Sequence, residues 1–495
     1  MNNLKVLLVF LVIIGLSACD LLKNQKPQQS LPVEGGLDSV PELQNALTGA
    51  YNDLQEWPNG DSFAQVLFAQ DIIADDAYWT GSYPSYIEIA QQAMSKTNGS
   101  IEGQWNGQYE AINDANIILA KLDELDNTSS QSEIDNIRGQ ALFIRALEYY
   151  YLVQEFALPW NATPDHSHMG VPLQLAPVTS SEDFKKPARA SVKEVYDQII
   201  SDLKSAEGLI SNTIPNRATA DAATALRARI ALIQQRWSDA ASLAGQVIPD
   251  FTLQSDVATY FRSELSDESI FEIENTVQDN PGASNTSITA VYNKDSRDDI
   301  QISDAYKSAV DQIITSDQQA ALNAAGATAT DTRVSELLTG LDSPADVSQA
   351  TNASNTTKYE SIPNEEDNLP VLRMSEMILT RAEALVEDAA NYAAVPQEAF
   401  DLLNQIRDRA ITVSNGNQAL IEYDQTDFTS KQEMINAILL ERRVELAFEG
   451  HRLTDLQRRE LDVRGSAWNA DILTFPIPQS QIDANENIEQ NPAYK

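Results

Sequence analysis

The chain has 495 residues, 73 of them acidic and 34 basic, a formal charge of −39, and a single cysteine. So few cations cannot assemble a phosphate-tracking basic surface, which excludes a nucleic-acid binder, and they disfavour a polybasic membrane contact. One cysteine excludes an intrachain disulfide, while the length permits a large core or about two to four domains of 100–200 residues each.

The first residues read as an export signal. Lys5 provides a positive start, Val6 to Leu16 form an apolar run too short to span a bilayer, and Leu16-Ser17-Ala18-Cys19 comes next. This stretch is similar to the bacterial lipobox, whose cysteine is acylated and becomes the mature N-terminus. Cys19 is the only cysteine and stands where lipidation requires one, so residues 1–18 are expected to be a signal peptide and Cys19 the lipid anchor. Residues 19–37 hold Pro27, Pro32, Gly35 and Gly36 without an apolar period and read as a flexible tether.

Past the tether, Pro41 to Gln55 has proline in a first-turn position and apolar residues at Leu43, Ala46, Leu47, Ala50 and Leu54, which predicts a helix. A second short helix is expected to end near Ile73. Residues 75–86 then place Tyr78, Trp79, Tyr83 and Tyr86 among Gly, Ser, Thr and Pro, with no helical or strand period. Such a stretch is expected to be a loop presenting its rings to solvent.

Helical pairs dominate the chain from about residue 100 onward. One pair runs through Trp105, Tyr109, Ile112, Leu119 and Leu122, then Ile134, Ile137, Ala141, Ile144, Leu147 and Tyr151. Trp105 and Tyr109 are assigned to the core. Ser191 to Ile210 predicts a further helix, and residues 218–248 a helical hairpin, with Leu226, Ile230, Ile233 and Trp237 on one helix and Ala240, Ala244, Val247 and Ile248 on the next. Ala228 and Ala240 are small where two antiparallel helices must approach, the logic of tetratricopeptide-type units of about 34 residues. Residues 371–410 repeat the plan through Met374, Ile378, Ala382 and Leu385, then Ala399, Leu402, Leu403, Ile406 and Ala410. A lone hairpin cannot bury its own apolar face, so the recurrence predicts a stacked helical scaffold.

Other segments break the pattern. Residues 159–187 are proline-rich and hold His166 and His168, an i, i+2 pair with no partner set in metal-ligand spacing, so a solvated loop is expected and no metal or other cofactor. Residues 270–275, IFEIEN, alternate apolar and acidic side chains and predict a short strand. From Thr276 to Pro363 helical periodicity lapses, and function is expected to gather in such an irregular excursion. Lys431 to Phe448 predicts a helix. Arg442, Arg443, Glu445, Glu449, Arg452, Asp455 and Arg458 form a charge constellation read as a structural lock between adjoining helices. The Phe475-Pro476-Ile477-Pro478 tail reads as an extended closing segment.

The chain resembles the SusD/RagB family of outer-membrane nutrient-binding lipoproteins of Bacteroidetes. The resemblance is carried by W-x3-Y-x2-I-x3-N at Trp105, Tyr109, Ile112 and Asn116, by RALEYYYLVQEFALPW and by GVPL at 170–173. It continues in LPVLRMSEMILTRAEAL, LLNQIRDRA, ERRVELAFEGHRLTDLQRR and FPIPQSQIDANENIEQNPAY, the last two being the most specific. Ala157 replaces a glycine frequent in the family. The resemblance implies a mostly α fold in which four tetratricopeptide-like units support a more irregular binding half. The whole of 38–495 would be one such domain, with its excursion at about 276–363. It also implies capture of oligosaccharides, or in some branches peptides, on a TonB-dependent SusC-like outer-membrane barrel, with the protein lipid-anchored and facing the cell exterior.

Sugar capture requires flat apolar faces for pyranose C–H groups and polar groups for hydroxyls. Tyr78, Trp79, Tyr83 and Tyr86 are the expected platform. Asp75, Asp76, Tyr292, Asn293 and Arg297 are the expected polar contacts, provided the two loops converge. The competing readings are an enzyme and a pure interaction scaffold. Acidic pairs are numerous enough for a two-carboxylate glycosidase by counting, but no GxSxG elbow, HExxH helix or glycine-rich phosphate loop occurs. A binding protein without catalytic residues is therefore expected.

Overall fold

A computed structural model describes residues 36–57, 61–125, 130–339 and 354–495. The signal segment, Cys19 and nearly all of the expected tether lie outside these residues. Leu37, the last residue of that tether, is already buried in the core.

Helices α1 (Val40–Gln55), α2 (Ala64–Ile73) and α3 (Pro84–Ala90) open the described chain, and strand β1 (Ala77–Trp79) lies between the last two. The scaffold continues as α4 (Gly99–Glu124), α5 (Gln131–Phe156), α6 (Val192–Leu209), α7 (Ala220–Ile233) and α8 (Trp237–Val247). Each of these packs on the next in sequence. After the excursion, α11 (Met374–Asp388) packs on α8 and α12 (Gln397–Ala410) on α11, so the stack resumes across more than a hundred residues. The excursion supplies α9 (Ile288–Tyr292) and α10 (Asp304–Val310), and the chain closes through α13 (Lys431–Glu445) and α14 (Arg452–Arg458). The fold is mostly α, with only two-stranded sheets among the described residues.

Local chemistry explains the boundaries. The Asn98 side chain caps α4 by accepting from the Ile101 N–H, Ser191 and Glu194 form a capping box on α6, and Thr219 and Ser430 cap α7 and α13. Ala228 and Ala240 are fully buried where α7 meets α8, as their size required. Trp237, expected on the first helix of that hairpin, instead begins the second, because the chain turns at Gln235 with a positive φ of 55°. The IFEIEN segment does form a strand, β2 (Ser269–Ile273), which pairs antiparallel with β4 (Leu369–Arg373). Its alternation is misleading, however, since every residue is buried and Glu272 is satisfied by Ser269 and Asn368.

The charge constellation is a buried ion-pair lattice. Arg373 reaches Glu445 and Glu449 at 2.7 Å and Glu268 at 3.0 Å, while Lys358 reaches Glu449 at 2.6 Å. Asp455 receives Arg442 at 2.8 Å and Arg458 at 2.7 Å, and Arg229 clamps Glu376 at 2.6 Å. Burial works against every one of these charges, yet the Arg409, Arg373 and Arg333 guanidiniums outweigh it and hold the Glu445 carboxyl well below its usual range. The lattice thus fixes the α13 to α14 corner. Its turn residue Gly450 has φ +77° and sits so close to α2 that a Cβ would lie 3.0 Å from the Leu67 Cα.

Candidate functional site

The 75–86 stretch is not a free loop. Residues Ala77, Tyr78 and Trp79 form β1, which pairs antiparallel with β3 (Ile300–Ile302) in the register Ala77 to Ile302, Tyr78 to Gln301 and Trp79 to Ile300. The ladder continues beyond the strands, with the Ser303 N–H donating to Asp76 O at 2.9 Å and the Thr80 N–H to Asp299 O at 2.7 Å. The convergence of the two loops, which the polar contacts required, is therefore achieved by strand pairing.

Strand alternation then sorts the aromatics. Tyr78 points outward at 43% exposure, and Tyr83, just before α3, is 40% exposed. Trp79, expected as the stacking surface, is only 9% exposed, and Tyr86 is fully buried. Trp79 packs 4.6 Å from the Tyr86 ring and stacks on Phe68 at 6.4 Å, while the Tyr86 hydroxyl accepts a hydrogen bond from Gln65 at 2.6 Å. These two rings are core anchors beneath the surface. Tyr83 rests on Tyr86 at 5.3 Å, so the exposed ring is braced by a buried one.

The expected polar groups divide similarly. Arg297 is exposed and its Nε donates to Asp299 at 2.7 Å. Tyr292 is buried, its hydroxyl donating to Asp71 at 2.9 Å and its ring packed against Tyr359 and Phe448. Asn293 is also buried; its amide donates to Tyr359 O at 3.2 Å and its carbonyl oxygen accepts from the Asp295 N–H. Asp75 and Asp76 are held by cations rather than offered to solvent: Arg452 reaches Asp75 at 2.6 Å, and Arg443 reaches Asp76 at 2.6 Å and Asp75 at 3.2 Å. Burial raises the Asp75 carboxyl, but Arg452 and Arg443 outweigh that and bring it below its usual value. For fully buried Asp76 the balance tips the other way, and burial keeps it raised.

What remains exposed is a compact patch. Tyr78 donates its hydroxyl to Gln301 at 2.9 Å, Thr80 donates to Asp298 O at 2.9 Å, and Arg297, held from below by the buried Asp299, borders them. Gly81 is essential to its geometry, because a Cβ there would meet Asp299 Oδ1 at 2.2 Å and the Trp79 ring at 2.8 Å. The outward Tyr78 ring, the Gln301 amide, the Thr80 hydroxyl and the Arg297 guanidinium can lie against a sugar face and exchange hydrogen bonds with its hydroxyls. Gln301, Thr80 and Asp299 carry no local sequence signal, since their place beside Tyr78 depends on pairing across more than two hundred residues.

The histidines take other roles. His166 stacks on Trp160 at 3.8 Å, with Nδ1 2.8 Å from Trp160 O, and His168 lies between the Thr163 hydroxyl and Leu158 O. They pin the 159–168 loop and are not freely solvated. Among the described residues no group of three or more His, Cys, Asp or Glu could hold a metal, and no helix is long and apolar enough to cross a membrane.

Two family models cover most of the chain: one described as starch-binding and associating with the outer membrane at residues 22–232, and the SusD family at residues 275–469. The chain belongs to the SusD/RagB family. A SusD-like protein of Formosa agariphila, designated P2, is 24% identical over the full length of both chains. A candidate sugar-binding protein of Bacteroides vulgatus has the same fold with a TM-score of 0.76 and 25% identity, covering 93% of this chain and 100% of its own. A SusD superfamily structure from Bacteroides thetaiotaomicron gives a TM-score of 0.73 at 23% identity over 92% of this chain and 100% of its own. The SusD scaffold accounts for the helical stack, and its irregular half carries the Tyr78 patch.

Proposed function

We propose that this SusD-like protein captures neutral oligosaccharide or polysaccharide at the outer membrane and passes it to a TonB-dependent SusC-like transporter. The observation that carries the reading is the β1–β3 pairing, which sets Tyr78 outward against Gln301, with Thr80 and the exposed Arg297 alongside. Family membership and the family description of starch binding support it. So does the charge of −39, which disfavours a polyanionic glycan. The patch presents no aligned nucleophile and base, and its one carboxylate is engaged by Arg297, so binding and not turnover is the role assigned to it.

In this reading Trp79, Tyr86, Tyr292 and Asn293 support the patch from within, and Asp75 and Asp76 lock its strand to the scaffold. Residues 1–18 are the signal peptide, and Cys19 carries the lipid that holds the protein on the outer membrane, facing the exterior, through the short tether. The test is a glycan and peptide array probed with wild type and Tyr78→Ala. Glycan binding lost in the variant supports the assignment; binding to peptides alone would move the protein to a peptide-capturing role. Cys19→Ala should move the protein to the soluble fraction, and recovery of a large β-barrel protein with wild type in mild detergent tests the transporter partnership.

A further inference from the structure

An open cleft of about 530 Å³ lies at the outer side of α13, within the range of small-ligand pockets. Tyr423 and Phe428, with ring centroids 5.0 Å apart, form one part of its lining; Gln312 and Asn436 supply amides, and Arg443 and Arg452 form another wall. These are the two arginines that grip Asp75 and Asp76.

Two routes join this cleft to the Tyr78 patch, one through an ion pair and one along the chain. On β1, Asp76 continues the ladder and shares the face of Tyr78, two residues or about 7 Å along the strand, and its carboxylate accepts from Arg443 Nε at 2.7 Å. On β3, Gln301 and Ser303 share the matching face, and α10 begins at once and runs toward Gln312. A single Asp–Arg layer therefore separates patch from cleft.

The charges of that layer select the ligand. Arg443 and Arg452 are neutralised by Asp75 and Asp76. Of the two carboxylates in the lining, Asp427 accepts the Asp424 N–H and Glu433 accepts Thr429 at the start of α13. Among the described residues of the lining no uncompensated cation is left to attract an anionic chain, whereas the half-buried Phe428 ring, braced by the buried Tyr423 ring and flanked by amides, suits a pyranose face and its hydroxyls.

Resting on the glycan reading above, we propose that the cleft at Tyr423 and Phe428 is a second subsite continuous with the Tyr78 patch, so that the protein binds an internal stretch of an uncharged oligosaccharide spanning both. Short chains occupy the patch alone; longer ones cross the Asp75–Arg452 layer into the cleft.

The experiment is calorimetric titration of the solubilised full-length protein with the tri- and heptasaccharides of the maltose, laminarin and xylan series. The variants are Tyr78→Ala, Phe428→Ala and the surface pair Gln312→Ala with Asn436→Ala, each checked by thermal melting. Wild type should bind the longer member of its preferred series about tenfold or more tightly than the shorter. Phe428→Ala should abolish that difference while leaving trisaccharide affinity unchanged. The Gln312/Asn436 variant should reduce the difference, and it serves alone if Phe428→Ala melts early. Equal affinity for both lengths in wild type, or a length dependence untouched by the folded cleft variants, overturns the subsite. Failure of every series to bind, or glycan binding indifferent to Tyr78→Ala, overturns the glycan reading itself.

Discussion

Arg443 of α13 donates through Nε to Asp76 at 2.7 Å, and this bond ties the strand bearing Tyr78 to the buried ion-pair lattice at the α13 to α14 corner. The patch is consequently held by charge at its root and exposed at its tip. Removing one partner of a buried pair leaves the other uncompensated, at a cost of about 3–5 kcal/mol. Asp76→Ala should thus lower the melting temperature clearly and weaken glycan binding as a consequence. A variant that lost affinity without losing stability would mean that Asp76 contacts ligand directly.

Tyr78 and Trp79 are neighbours with opposite duties. Trp79→Ala removes a ring packed on Phe68 and Tyr86 and should cost about 3–5 kcal/mol of stability. Tyr78→Ala removes an exposed ring; it should cost about 1–3 kcal/mol of binding, as a truncated interface anchor does, with melting nearly unchanged. Paired denaturant melts and titrations of the two variants decide the matter.

Gly81→Ala should damage the patch without dismantling the scaffold. The added methyl would press on Asp299 and the Trp79 ring, and overpacking of this kind costs about 1–3 kcal/mol. The expected result is a modest fall in melting temperature with a fall in glycan affinity, because Asp299 can no longer hold Arg297 in place. Unchanged affinity would show that this corner of the patch is not used.

Glu155 gives the stability a pH dependence. Burial between α4 and α5 raises its carboxyl to about 8, against the opposing hydrogen bond from Gln108 at 2.6 Å. The folded protein therefore keeps a proton that the unfolded chain releases near pH 4.5, and this contribution to stability declines as pH rises from about 4.5 to 8, then levels off. Glu155→Gln should match wild type near pH 4.5 and exceed it above pH 8 by an amount on the order of a few kcal/mol. Glu148, also raised well above its usual value by burial, leaves a residual slope in the variant. Melting curves across this range that stay parallel for the two proteins would count against a proton held at Glu155.

Much of the scaffold was legible because helical periodicity is a local signal. Leu226 and Ile230, or Leu402 and Ile406, mark a buried face at 3.6-residue spacing wherever the neighbouring helix comes from. The structural reading of Arg442, Asp455 and Arg458 rested on the same short-range logic, since complementary charges a few residues apart across a turn can meet. The aromatic stretch failed for the opposite reason. Three strand residues are too few to show a period of two, so Tyr78 and Trp79 were indistinguishable until β3 fixed which face was inward.

Composition and local pattern by themselves determined that the chain is acidic, helical and built from recurring hairpins, because charge, apolar spacing and turn residues act within a few positions. Only the tertiary structure decided which rings face solvent, that Asp75 and Asp76 belong to Arg452 and Arg443, and that Gln301 lies beside Tyr78. Those outcomes depend on partners hundreds of residues away, and burial, which sets the cost of every unpaired charge and the availability of every ring, is a property of the packed whole.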